Sequence, residues 1–188
     1  VVTHWQHCVT SLFTDRAITY RDAHQFDHLR VALSVGVQQM VRSDVGAAGV
    51  IFTIDTESGF PDAVLITGSW GLGENVVKGS VNPDEIVLFK PLLDDPALRP
   101  ILRVHIGEKA RTMVLGDGTG SATRTIDTPD ERRRQLCLSE DDALQLGRWA
   151  VQIEREASAR AGHHVPMDIE WALDGTNGQL FIVQARPE

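Results

Sequence analysis

At 188 residues the chain is long enough for one ordinary domain, and 42% hydrophobic residues can supply its core. A formal net charge of −8 excludes a general affinity for nucleic acid or anionic membrane, which favour basic surfaces, but leaves room for a local phosphate site. No apolar run approaches the roughly 18 residues of a membrane span. Val1-Val2-Thr3-His4-Trp5 has neither an initiator Met nor the order of a signal peptide, so the chain is expected to be a piece of a longer one. Cys8 and Cys137 are far apart and outside any CxxC, the pattern of idle or buried thiols in a reducing compartment.

Trp5, Val9 and Leu12 stand at helical spacing and predict a short helix over residues 1–13. Residues 13–21 mix charge and apolar character and read as a helix end or loop, whereas residues 35–41 read as a strand. Gly46-Ala47-Ala48-Gly49 forms a small-residue turn entering a buried strand up to residue 55. A further strand covers residues 63–67 and stops at Gly68, where a glycine-rich segment begins and continues to Gly79. Strands are expected at residues 85–90, 101–106 and 112–115, with a flexible tip at Asp117-Gly118-Thr119-Gly120-Ser121. Ser139-Glu140-Asp141-Asp142 starts a helix, with a capping Ser and acidic first turn, and that helix breaks near Gly162. Two strands around Asp174-Gly175-Thr176-Asn177-Gly178 close the chain, and the whole pattern is α+β with a largely antiparallel sheet.

The closing hairpin holds the best site candidate. Period two puts Asp168 and Glu170 on one face and Met167, Ile169 and Trp171 on the other, with Gln184 and Arg186 sharing a face of the partner strand. A five-residue turn would pair Leu173 with Gln179, Asp168 with Gln184 and Glu170 with Ile182. Oxygen ligands of this kind suit Mg²⁺, and a neighbouring Arg suits phosphate. The same alternation also describes a half-buried strand whose polar face meets water.

Gly71-Leu72-Gly73-Glu74 can bring backbone amides close to an anion, or simply make a tight turn. Gln38-Gln39-Met40-Val41 offers an extended edge for a purine, or an ordinary strand. Lys109 and Arg111 face either polyphosphate or solvent, and Arg132, Arg133 and Arg134 form a solvated run of mixed sign. His4 with His7, and His163 with His164, lack the further ligands of a zinc site.

Taken together, several stretches resemble the phosphoenolpyruvate synthase (pyruvate, water dikinase) family. They are Ser11 to Arg21, Val37 to Asp44, Gly49-Val50-Ile51-Phe52-Thr53, Gly71 to Gly79, Val81-Asn82-Pro83-Asp84-Glu85, and the ending from Pro166 to Glu188. Pyruvate phosphate dikinase and rifampin phosphotransferase share the general plan. The resemblance implies the C-terminal portion of an ATP-grasp domain, spanning residues 1–188, in a cytoplasmic, Mg²⁺-dependent enzyme.

It further implies that the Gln39, Met40 and Val41 backbone holds adenine, and that Gly71, Gly73 and Glu74 border the phosphates or the hinge between lobes. Glu170 and Gln184, with Asp168 beside them, would hold the metal on ATP, and Arg186 would contact the phosphoryl group in transfer. The implied reaction turns ATP, pyruvate and water into AMP, phosphoenolpyruvate and phosphate through a histidine on a swivelling domain. That domain, the pyruvate barrel and the N-terminal lobe are not in this sequence, so the chain alone is expected to be inactive, and its bared face implies self-association, for example as a homodimer.

Overall fold

Residues 1–95, 97–118 and 121–188 are described by a computed structural model, and they fall into two units, Val1–Met40 and Val41–Glu188. In the first unit, helix α1 (Val2–Thr10) runs through a single 3-10 turn, Ser11–Phe13, to helix α2 (Asp15–Ala23). Of residues 13–21, expected as a helix end or loop, Asp15 to Arg21 belong to α2, because Thr14 caps it, its hydroxyl accepting from the Ala17 amide at 3.4 Å, with Asp15 in the first turn. Among the described residues of this unit only Arg21 is buried. Its guanidinium donates to the Leu12 carbonyl at 2.6 Å and to His28 Nδ1 at 2.9 Å, tying the turn and the stretch after α2 to the helix.

Residues 35–41, expected as a strand, belong to neither sheet. Strand composition alone does not make a strand where no ladder partner is available.

The second unit is built on a six-stranded antiparallel sheet in the order β4-β3-β2-β1-β7-β8. The strands are β1 (Ala47–Phe52), β2 (Ala63–Trp70), β3 (Asp84–Phe89), β4 (Ile101–His105), β7 (Met167–Leu173) and β8 (Leu180–Pro187). Helix α3 (Glu74–Val77) follows β2. Strands β5 (Arg111–Leu115) and β6 (Thr123–Asp127) make a separate hairpin. Thr119 and Gly120 of the anticipated tip lie outside the described residues. After α4 (Asp130–Arg133), the long helix α5 (Glu140–Ala161) starts at Ser139, whose hydroxyl accepts from the Asp142 amide at 3.1 Å, and stops at left-handed Gly162.

One sheet face is the core. Ile51, Val64, Ile66, Leu88, Ile169 and Trp171 pack there with Leu146 and Ala150 of α5, all essentially removed from water. Ala143, Leu146, Gly147, Ala150 and Val151 recur at helical spacing, giving α5 its buried stripe. Strand β2 runs past Gly68, the glycine at which its sequence predicts a stop. Trp171 explains the continuation: a Cβ on Gly68 would lie 2.6 Å from the indole, so the ring occupies the space a side chain would need. The indole Nε1 also donates to the Thr67 carbonyl at 3.1 Å.

Two buried ion pairs brace the sheet. Lys90 donates to both oxygens of Glu154, at 2.8 and 2.7 Å, and to the Thr53 carbonyl. The alternation around Lys109 predicts a side chain facing polyphosphate or solvent. It is instead completely buried against Asp84, whose other oxygen accepts from the Cys137 amide at 2.7 Å. The Arg run is also partly engaged: Arg132 lies 4.9 Å over the Trp70 ring and Arg133 pairs with Glu108.

Candidate functional site

Opposite the α5 face, pairing aligns the polar residues of the closing hairpin. Asp168 sits beside Phe52 of β1 and Glu170 beside Val50, so both carboxylates flank apolar side chains on the same sheet face. Across the hairpin, Glu170 stands opposite Gln184 and Asp168 opposite Arg186. This corrects the expected register, in which Asp168 faced Gln184 and Glu170 faced Ile182. The turn is one residue longer than expected, since Leu173 pairs with Leu180. That single step would have turned β8 over. A bulge restores it: between the Trp171–Ile182 and Glu170–Gln184 pairs, Val183 has no opposite number.

Asp168 is buried, yet Arg186 is largely exposed. The guanidinium donates twice to Asp168 Oδ2, Nε at 2.8 Å and Nη2 at 2.5 Å. This hydrogen bond and charge raise the Arg186 pKa above its ordinary value. Asp168 Oδ1 has less than 1 Å² of exposed surface and no hydrogen-bond partner. A buried carboxylate oxygen left bare costs free energy unless something outside the chain satisfies it. Among the described residues no three of His, Cys, Asp or Glu cluster to hold a metal. The pairing instead puts two carboxylates and a carboxamide on one face of the hairpin, a set that suits a hard cation completing its shell with water or phosphate oxygens. The model of the family described as pyruvate phosphate dikinase, AMP/ATP-binding domain, matches residues 1–188.

The chain belongs to this family. It is 53% identical over 189 residues to the phosphoenolpyruvate synthase of Helicobacter pylori, a match covering 100% of this chain and 23% of that protein. The phosphoenolpyruvate synthases of Synechocystis sp. and Escherichia coli are 54% and 50% identical, over 96% and 97% of the chain. In each of these two the match covers 22% of the relative, so the chain spans less than a quarter of the length of these proteins.

The remaining expected positions of this pyruvate phosphate dikinase family domain divide between the two units. Gln39 and Met40 end the first unit and Val41 opens the second, all three outside helix and strand. In the glycine loop, Gly71 has φ +89° and sits against β5: a Cβ there would lie 2.3 Å from the Met113 carbonyl oxygen. Its amide donates to the Gly46 carbonyl at 3.1 Å, and the Leu72 amide donates to Met113 at 2.9 Å. Close backbone approach thus accounts for Gly71. Gly73, with φ −64°, caps α3, where a Cβ would meet only the Ala48 methyl, at 3.4 Å. Glu74 pairs with Lys78 one helical turn on, at the surface.

Sequence reasoning missed Asp174. Its sequence context marks only a turn, but it is buried and accepts from the Arg42 amide. Ser69, on the same sheet face as Asp168, and Asn75 of α3 also carry buried side-chain atoms without partners, and no sequence pattern marked either.

Proposed function

We propose that the chain holds MgATP for a phosphoenolpyruvate synthase-like enzyme, which passes a phosphoryl group to a histidine on another domain and from there to pyruvate. The bare Oδ1 of buried Asp168, beside the Glu170–Gln184 pair, carries this reading. These three side chains would hold Mg²⁺, which when bound neutralises charge on the ATP phosphates. The chain's own residues do the positioning. Asp168 holds Arg186 at the lip of the hairpin, where its guanidinium can receive the oxygens of a phosphoryl group. Val50 and Phe52 flank the carboxylates with apolar surface and strengthen their electrostatics. The Gln39, Met40 and Val41 backbone would take the adenine edge, with Gly71, Gly73 and Glu74 bordering the phosphates. Similarity over nearly the whole chain to several phosphoenolpyruvate synthases supports this assignment.

Calorimetry on the full-length protein tests it. MgATP should bind, and Glu170→Ala should weaken binding by about tenfold or more. No binding by the unaltered protein would refute the proposal.

A further inference from the structure

We propose that Asp174 is a positioning residue of the nucleotide site, holding the backbone that leaves Val41 against the turn of the hairpin that carries Asp168, Glu170 and Gln184. The inference rests on the MgATP reading above and adds what fixes Val41, the base-edge residue of the second unit, against the phosphate end.

Asp174 directly follows β7 and is buried. Its Oδ1 accepts from the Thr176 amide at 2.8 Å and hydroxyl at 2.5 Å, the ordinary work of an Asx turn. Its Oδ2 does something a turn does not need: it accepts from the amide of Arg42, 132 residues away, at 3.2 Å. The next residue, Gly175, donates its amide to the Arg42 carbonyl at 3.1 Å. Both backbone polar groups of Arg42 therefore go to the hairpin turn, one residue after Val41.

The contact is tight and extends further. A Cβ on Gly175 would lie 2.3 Å from the Val45 carbonyl oxygen, and one on Gly46 would lie 2.2 Å from that of Leu173. The two backbones touch, and only glycine fits at either place. Gly46 in turn accepts from the Gly71 amide, so residues 42–46 join the hairpin turn to the glycine loop. Arg42 also grips the buried Asp44 with two hydrogen bonds, at 2.8 and 3.0 Å, which stiffens the segment. Because Thr176 fixes the Asp174 carboxylate, that carboxylate cannot follow Arg42 if the segment moves. It acts as a fixed stop.

The test uses the full-length protein, with steady-state turnover on MgATP and MgGTP and thermal unfolding of each variant. Asp174→Ala should raise KM for MgATP about tenfold, change kcat by less than about threefold, and narrow the preference for ATP over GTP. Asp174→Asn has a single acceptor oxygen, which serves the Thr176 turn and leaves its NH2 against the Arg42 amide, so it should raise KM in the same direction as Asp174→Ala with the turn intact. A folded Asp174→Ala protein with unchanged KM and unchanged base preference would overturn the inference, even if its thermal stability fell. Should Asp174→Ala fail to fold, Thr176→Val, which frees the carboxylate on one side, should shift KM and preference in the same direction. No shift there would equally overturn it. If the unaltered protein neither binds nor turns over MgATP, the parent reading fails and this inference with it. That result is distinct from a normal unaltered protein with indifferent variants.

Discussion

Arg186 places both its hydrogen bonds on one oxygen of Asp168 and leaves the other oxygen buried and bare. The carboxylate thus has two separate tasks, one per oxygen. Asp168→Asn keeps the shape and removes the charge. Its affinity for MgATP, followed by calorimetry over a range of Mg²⁺ concentrations, should fall about tenfold or more while affinity for metal-free ATP changes little. Equal losses with and without Mg²⁺ would mean that the bare oxygen takes no cation.

Lys109 and Asp84 make the most buried ion pair described here, and each is tied to further backbone groups. Removing one partner strands the other charge away from water. Asp84→Ala should therefore cost about 3–5 kcal/mol in urea unfolding, and the double change Asp84→Leu with Lys109→Met should recover much of it. If the single and double variants were equally destabilised, the pair would not be the cause.

Gly68 gives a packing test. Its added methyl would press on the Trp171 ring and lie 3.0 Å from Cys137 Sγ, so Gly68→Ala should destabilise by about 1–3 kcal/mol. Gly36→Ala, where nothing lies within 4 Å, is the control and should be close to neutral. Both are read from denaturant midpoints.

Two carboxyls set an acid limit. Hydrogen bonds from Arg42 hold Asp44, and those from the Thr176 hydroxyl and amide hold Asp174, below the usual carboxylate range. A depressed folded-state pKa gives stability that is present above the unfolded value, near 3.9, and lost as pH falls through the folded one. Urea midpoints should thus decline progressively below about pH 5. Asp44→Asn should lower the midpoint at neutral pH and flatten that decline.

The buried thiol offers a simpler check. Burial, then the neighbouring Asp84 charge, push the Cys137 pKa well above that of a free thiol, whereas Cys8 is exposed. A thiol reagent at mild alkaline pH should label Cys8 quickly and Cys137 only on unfolding. Rapid labelling of both would contradict the packing around Trp171.

Much of the fold was legible because its signals are local. Ser139 and Gly162 marked both ends of α5, and alternation in Met167–Leu173 sorted its core and polar sides correctly. What stayed hidden depended on partners distant in sequence. Residues 35–41 have strand composition but no neighbour in either sheet, and Gly68 looked like a stop because Trp171, which fills its place, comes about a hundred residues later. Lys109 looked like a surface charge because nothing nearby announces Asp84. In the site, the grouping of Asp168, Glu170, Gln184 and Arg186 was readable from period two, but their pairing was not, since turn length and bulge leave no compositional mark. Asp174 was visible as a turn residue, yet its bond to Arg42 spans most of the chain.

The Val183 bulge has a consequence for how this hairpin can vary among relatives. Turn and bulge each displace β8 by one position, and only their sum, an even number, returns Gln184 and Arg186 to the acidic side. The hairpin therefore obeys a parity rule. A single inserted or deleted residue anywhere from 174 to 183 would turn the guanidinium and carboxamide toward α5, whereas a change of two would preserve their side but leave only one of them opposite a carboxylate. Length variation here should come in pairs, or with a compensating loss of the bulge.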